Sequence, residues 1–199
     1  MKGTLAMKRV LALLTLGMAF LTGCASQGED GSAASTEDES GSPGAIQALG
    51  NIIDDTRIET TGLVRLRRAG EGLKDGHLGV TSFRGVVLLT GQVRDEESKA
   101  LASEVLSGIE DVKSVYNELT ISGPTALLTR SADALVTSKV KARLVASEDV
   151  RGLEIKVVTE NGAVYLLGTV TRAEGEAATA AARAVGGVER VVRIFSYSD

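Results

Sequence analysis

The sequence predicts an α/β (α+β) protein built from two tandem modules, each running helix, strand, strand, helix, strand. Three observations carry this. Val87-Leu88-Leu89-Thr90-Gly91 returns 77 positions later as Val164-Tyr165-Leu166-Leu167-Gly168. Each copy leaves a turn glycine, Gly85 or Gly162, at the same offset of 77, as a duplicated unit requires. Each copy then runs into a segment with helical spacing of its apolar residues. A chain of 199 residues has room for two such modules of roughly 70 residues, small but able to hold a core.

Residues 1–23 read as a signal peptide. Lys2, Lys8 and Arg9 precede an apolar run from Val10 to Phe20, about half the ~20 residues that a spanning helix needs. The start is Met1 or Met7. Leu21-Thr22-Gly23-Cys24 resembles the lipobox of bacterial lipoproteins, which implies cleavage before Cys24 and acylation of that residue, palmitate included. Several acyl chains hold a protein on a bilayer almost irreversibly, since each buried CH₂ contributes roughly 0.8 kcal/mol. Ala25 stands where an aspartate would imply inner-membrane retention, so the expected location is the outer membrane, lipid-anchored on its periplasmic face. Cys24 is the one cysteine, which excludes an intramolecular disulfide and a cysteine metal cluster. Residues 24–53 are expected to be the lipidated cysteine and a disordered acidic tether. Residues 25–45 contain no aromatic residue and too little apolar surface to offset ordering entropy. Glu29, Asp30, Glu37, Asp38 and Glu39 repel an anionic surface and extend the segment.

The first module is expected over residues 54–122. Asp54 or Asp55 can cap a helix carrying Ile58, Leu63, Val64 and Leu66, although Gly62 inside it costs about 1 kcal/mol against alanine. Glycines 70, 72, 76 and 79 break the chain until Leu78, Val80 and Ser82 alternate as a strand. Arg84-Gly85 reads as a hairpin turn and residues 86–89 as the partner strand. Asp95 can cap a helix with Leu101, Val105, Leu106 and Ile109 on one face, and residues 112–121 make the last strand. Arg57, Arg65, Arg67 and Arg68 read as a solvated basic face. His77, the single histidine, reads as a loop residue with no second ligand beside it.

Gly123-Pro124 opens a linker over residues 123–130, because proline biases its predecessor away from helix. The second module is expected over residues 131–199. Asp133 can cap a helix starting at Ala134, with Val136, Val140 and Leu144 facing inward. Leu135, Lys139 and Arg143 repeat at i, i+4 and i+8 on another face, with Lys141 nearer the side. Such a stripe suits a bilayer interface, where each cation near an anionic surface contributes about 1 kcal/mol; the plainer reading is a surface helix with one exposed leucine. Residues 155–159 and 163–167 form a hairpin around Asn161-Gly162. Thr171 and Glu174 form a capping box on an alanine-rich helix. Gly186-Gly187 ends that helix, and Val188, Val191, Val192, Ile194 and Phe195 supply the last strand.

From about residue 54 to the end, the chain resembles the BON domain family, small α/β modules of periplasmic bacterial proteins. The resemblance rests on the strand-glycine motifs ending at Gly91 and Gly168, on Ser114-Val115-Tyr116-Asn117-Glu118-Leu119 in the first copy, and on Val157-Val158-Thr159-Glu160-Asn161-Gly162 in the second. It implies two αββαβ modules, each a three-stranded mixed sheet with two helices, and no catalytic site. With the lipobox it further implies attachment inside the outer membrane. The partner it implies is an anionic phospholipid membrane, phosphatidylglycerol-like, bound by the first helix of the second module. It also implies a role in envelope integrity, at division sites and near the β-barrel assembly machinery. Carried onto this chain, the lipid-binding set is Leu135, Val136, Lys139, Lys141 and Arg143. Leu135 stands where the family's lipoproteins have an aromatic anchor, so the contact is expected to be weaker.

Other function classes find little support. Net charge is −4, from 22 basic and 26 acidic residues, too mild and of the wrong sign for nucleic acid as the main partner. No nucleophile with a positioned base, no paired carboxylates and no phosphate-cradling glycine motif is present. No catalytic residue, metal, cofactor or small-molecule substrate is therefore expected. The alternative to lipid binding is a tethered periplasmic protein-interaction adaptor or stress chaperone.

Overall fold

Alternation and turn glycines produce both hairpins where the sequence puts them. β1 (Leu78–Phe83) pairs antiparallel with β2 (Val86–Val93), and β5 (Lys156–Glu160) with β6 (Ala163–Val170). Arg84 and Gly85 have φ of 50° and 80°, and Asn161 and Gly162 have 48° and 72°, the left-handed pair that a type I′ turn requires. The computed structural model describes residues 43–74, 76–123 and 127–199. The signal peptide, Cys24, residues 25–42 of the expected tether, and Pro124 lie outside them.

Each hairpin is followed by a helix and a returning strand, which makes both sheets mixed. α3 (Glu96–Ser107) leads to β3 (Ser114–Asn117) and β4 (Thr120–Ile121), both parallel to β2. α5 (Arg172–Arg183) leads to β7 (Arg190–Tyr197), parallel to β6. The caps are the predicted ones: Asp95 accepts from Ser98 N at 2.7 Å, and Thr171 with Glu174 closes a capping box. The first sheet has four strands rather than the expected three, because Glu118 and Leu119 interrupt the last one. Asn117 bends the chain there. Its Oδ1 accepts from Leu119 N at 3.1 Å while its Nδ2 donates to Lys99 O and Ser103 Oγ at 2.7 and 2.6 Å.

The opening helices start earlier than the sequence predicts. α1 spans Pro43–Ala69 and α4 spans Leu127–Val145, so α1 takes in residues 43–53 of the segment expected as tether. Asp54, Asp55 and Asp133, expected as caps, lie inside the helices. The buried Asp55 carboxylate instead accepts from Ser82 Oγ, Arg84 N and Gly85 N at 2.6, 2.7 and 3.1 Å. Asp133 likewise accepts from Asn161 N and Gly162 N at 2.8 and 2.9 Å. Buried carboxylates persist only with such partners, and here each one ties a helix to the turn of the hairpin below it. Gly62, expected to weaken α1, sets its approach to α3: a Cβ there would lie 2.9 Å from Leu106 Cδ2. A short helix α2 (Glu71–Lys74) occupies the glycine-broken stretch.

The repeated motif is buried throughout because β2 and β6 are covered on both faces. Val87 and Leu89 join Ile58, Leu66 and Leu106 in a first core under α1 and α3. Val164 and Leu166 join Val140, Leu144 and Ala178 under α4 and α5. The alternate residues, Leu88 with Tyr165, Leu167 and Ile194, form a third core between the sheets, so the modules stack sheet on sheet. Polar contacts rim this interface. Lys156 Nζ donates to Glu59 Oε1 and Ser82 O at 2.8 and 2.7 Å, and Gln92 Nε2 donates to Glu160 Oε1 at 2.7 Å. The Tyr165 hydroxyl donates to Glu118 Oε2 at 3.3 Å and accepts from Arg190 at 3.2 Å; burial pushes its pKa above the usual tyrosine value.

The motif glycines do the same work in both copies. A Cβ on Gly91 would lie 1.8 Å from His77 O, and one on Gly168 would lie 3.2 Å from Glu154 O. The chain entering β1 or β5 thus crosses bare backbone.

Candidate functional site

α4 contains neither glycine nor proline between Leu127 and Val145, so its faces stay in register along the whole helix. Asp133, Val136, Val140 and Leu144 are buried, and Thr137 Oγ1 donates to Thr159 Oγ1 at 2.7 Å on β5. At 100° per residue, this inward face leaves Leu135, Lys139 and Arg143 on the outside, advancing about 40° at each step. Leu135 is 56% exposed, and Ser138, Lys139, Ala142 and Arg143 are exposed around it.

Two of the five residues expected at the site fall elsewhere. Val136 is 7% exposed and belongs to the second core; it lies 100° from Leu135, on the side that meets the sheet, so it is packing and not surface. Lys141 is exposed, but 240° from Leu135 it lies on the other flank of the helix, bordering a groove shared with α1. The structure therefore brings Leu135, Lys139 and Arg143 together and sets Lys141 apart.

The electrostatics of α4 are one-sided. It carries Arg130, Lys139, Lys141 and Arg143, all exposed, against one carboxylate, Asp133. That carboxylate is buried and committed to the turn at residues 161 and 162. Lys139, Lys141 and Arg143 form no ion pair with another described residue, and Arg143 in the last turn complements the negative end of the helix dipole. The result is an exposed leucine beside uncompensated cations.

Sequence reasoning missed a second apolar feature. After α4 a short 3-10 helix, Gly152–Glu154, holds Leu153 88% exposed, next to Val145 at 54%. No periodicity marks a leucine in so short an element. Arg151 pins this loop, donating to Glu174 at 2.7 and 3.1 Å and to Glu154 at 2.8 Å. The Arg151 hydrogen bond, with a backbone N–H from Thr171, holds the Glu174 carboxyl at about 2.

Among the described residues no group of three His, Cys, Asp or Glu side chains is placed to hold a metal ion. No described helix is long and apolar enough to cross a membrane.

Comparison with known proteins gives the family. A family model described as "BON domain" matches residues 54–123 and again 132–198. The chain is 32% identical over 196 residues, 98% of its length and 100% of the relative's, to "Outer membrane lipoprotein DolP" of Haemophilus influenzae. It is 30% identical to "21 kDa hemolysin" of Actinobacillus pleuropneumoniae, over 76% of this chain and 78% of the relative. It is 31% identical to "Osmotically-inducible protein Y" of Escherichia coli, over 74% of each chain.

Proposed function

The chain belongs to the BON domain family, in two copies, and from that premise we propose that it is a non-catalytic outer-membrane lipoprotein whose second domain binds anionic phospholipid and supports envelope integrity. One observation carries the reading: α4 turns its one carboxylate inward and presents outward Leu135 with Lys139 and Arg143, which form no ion pair among the described residues. An apolar tip entering the head-group layer beside cations is the arrangement that an anionic interface selects. Acylation of Cys24 keeps the domain at the bilayer, so the helix needs only modest affinity of its own. The full-length relative named as an outer membrane lipoprotein supports the anchor and the location.

The test is vesicle sedimentation of residues 25–199, which lack the acylation site. The expected result is binding to vesicles containing phosphatidylglycerol that weakens with salt and is lost when Leu135→Ser and Lys139→Gln are combined. No binding at low salt overturns the reading.

A second reading, a tethered adaptor for other proteins, is favoured by β7. This eight-residue strand lies at the end of its sheet, so its outer backbone groups are open to an added strand.

A further inference from the structure

The two hairpin turns share a geometry but not a chemistry. Arg84-Gly85 and Asn161-Gly162 both take positive φ, and in each the two backbone N–H groups donate to one carboxylate, Asp55 or Asp133. Asn161 is the one asparagine in the sequence that a glycine follows. In that dipeptide the glycine nitrogen can attack the side-chain amide carbon of the asparagine, because a residue without a Cβ lets the backbone come close. Asn161 is exposed and Gly162 is half-buried, so water reaches the turn.

Ring closure needs the peptide plane between Asn161 and Gly162 to rotate until the glycine nitrogen faces the side chain. The structure holds that plane and both of its neighbours. Asp133 Oδ2 accepts the Asn161 N–H at 2.8 Å, and Oδ1 accepts the Gly162 N–H at 2.9 Å. The Gly162 carbonyl accepts the Glu189 N–H at 2.9 Å, and the Glu189 side chain lies against the glycine, where a Cβ would sit 2.7 Å from its Cγ. The carboxylate also steadies the proton that the Gly162 nitrogen must lose to become a nucleophile, since a charged acceptor favours the N–H form.

We propose that Asn161 is a site of spontaneous deamidation gated by Asp133, closed while the carboxylate holds the turn and open when the turn comes away from α4. In the open turn the Gly162 nitrogen bonds to Asn161 Cγ. The Cγ–Nδ2 bond breaks, and Nδ2 leaves as ammonia with the proton that the Gly162 nitrogen gives up. Water then opens the cyclic imide at either carbonyl, leaving an aspartate or an isoaspartate at position 161. Either product adds a negative charge beside the N–H groups that Asp133 holds, and like charges repel. The isoaspartate also inserts a backbone carbon into a turn of fixed length. The change runs one way, and it costs α4 its tie to the second hairpin. The first domain, with Arg84 in the matching place, is spared. The inference does not depend on what α4 binds.

The test is peptide mapping by mass spectrometry on purified protein held in mildly alkaline buffer, following the exchange of amide for acid at position 161. The expected rate in the folded protein is about a hundredfold below that of the same chain in urea, because only the open turn reacts. Asp133→Asn keeps the shape of the side chain and removes its charge. It should speed the reaction in the folded protein about tenfold or more, the factor that follows from weakening charge-assisted hydrogen bonds. Arg84→Asn places the same dipeptide under Asp55 and should also react slowly when folded, which carries the test if the Asp133 variant does not fold. The deamidated protein, separated by its added charge, should unfold at a lower urea concentration than the unmodified protein. Equal rates folded and in urea overturn the gate. So does a folded Asp133→Asn protein that reacts no faster than wild type, or rapid reaction at position 84 in folded Arg84→Asn. Deamidated protein as stable as the unmodified form overturns the loss of the α4 tie.

Discussion

Asp133, in the second turn of α4, holds Gly162 in the turn of the second hairpin, its Oδ1 accepting the Gly162 backbone N–H at 2.9 Å. Asp55 does the same for Gly85 in the first domain at 3.1 Å. Each carboxylate replaces water for backbone groups that a tight turn leaves without partners. It also fixes how far each helix slides along its sheet, and in the second domain that placement decides which α4 residues face outward. Asp133→Ala should lose about 2–4 kcal/mol of stability, because a charged acceptor goes and two N–H groups are stranded. Urea denaturation measures this; a loss below about 1 kcal/mol would mean that the turn holds itself.

Val136 and Leu135 are neighbours in sequence with opposite fates, 7% and 56% exposed. Val136→Ala should cost about 1–3 kcal/mol of stability and leave vesicle binding by the folded protein intact. Leu135→Ala should change stability by less than about 0.5 kcal/mol and weaken binding. Chemical denaturation and vesicle sedimentation on the two variants, side by side, check both halves; reversed effects would mean that α4 is rotated from the orientation described.

Tyr165 lies in the apolar layer between the sheets, 2% exposed. Tyr165→Phe should cost about 1 kcal/mol for the lost hydroxyl bonds to Glu118 and Arg190. Tyr165→Ala should cost about 3–5 kcal/mol and separate the unfolding of the two domains, which share this core and should otherwise melt together. Calorimetry distinguishes one transition from two. A single transition in Tyr165→Ala would place the coupling elsewhere.

The Arg151–Glu174 contact gives a pH dependence. The Arg151 guanidinium holds the Glu174 carboxyl at about 2 in the folded protein, well below the usual glutamate value, so between the folded and the usual value the unfolded chain binds more protons. Its contribution is complete above the unfolded value and is lost as pH falls through the interval toward 2. Against Glu174→Gln, wild type should melt higher by a constant margin above about pH 5, and that margin should shrink as the pH is lowered. A margin that does not change between pH 5 and pH 2 would show that charge plays no part in the contact.

Acylation is tested independently of the folded domains. Globomycin should make an unprocessed precursor accumulate, and Cys24→Ala should release the protein from the membrane fraction. Normal processing in the presence of globomycin would rule out the anchor.

Amino-acid order alone determined the duplication, both hairpin turns, the caps at Asp95 and Thr171, and the inward set Val136, Val140 and Leu144. These depend on contacts between near neighbours, whose geometry is set by spacing and backbone preference. It also put an acid at the corresponding place in each copy, Asp55 and Asp133, but local rules made these helix caps, because a carboxylate near a helical pattern reads as one. Tertiary structure decided otherwise, since their partners are backbone groups some 30 residues away that only folding brings near. The same holds for the join between the domains. The double-sided apolar run of β2 and β6 says that both faces are covered, while only packing says that each covers the other. The groove beside Lys141 was least legible, because Ile52, Val145 and Leu153 lie on three elements and become one surface only when the two sheets stack.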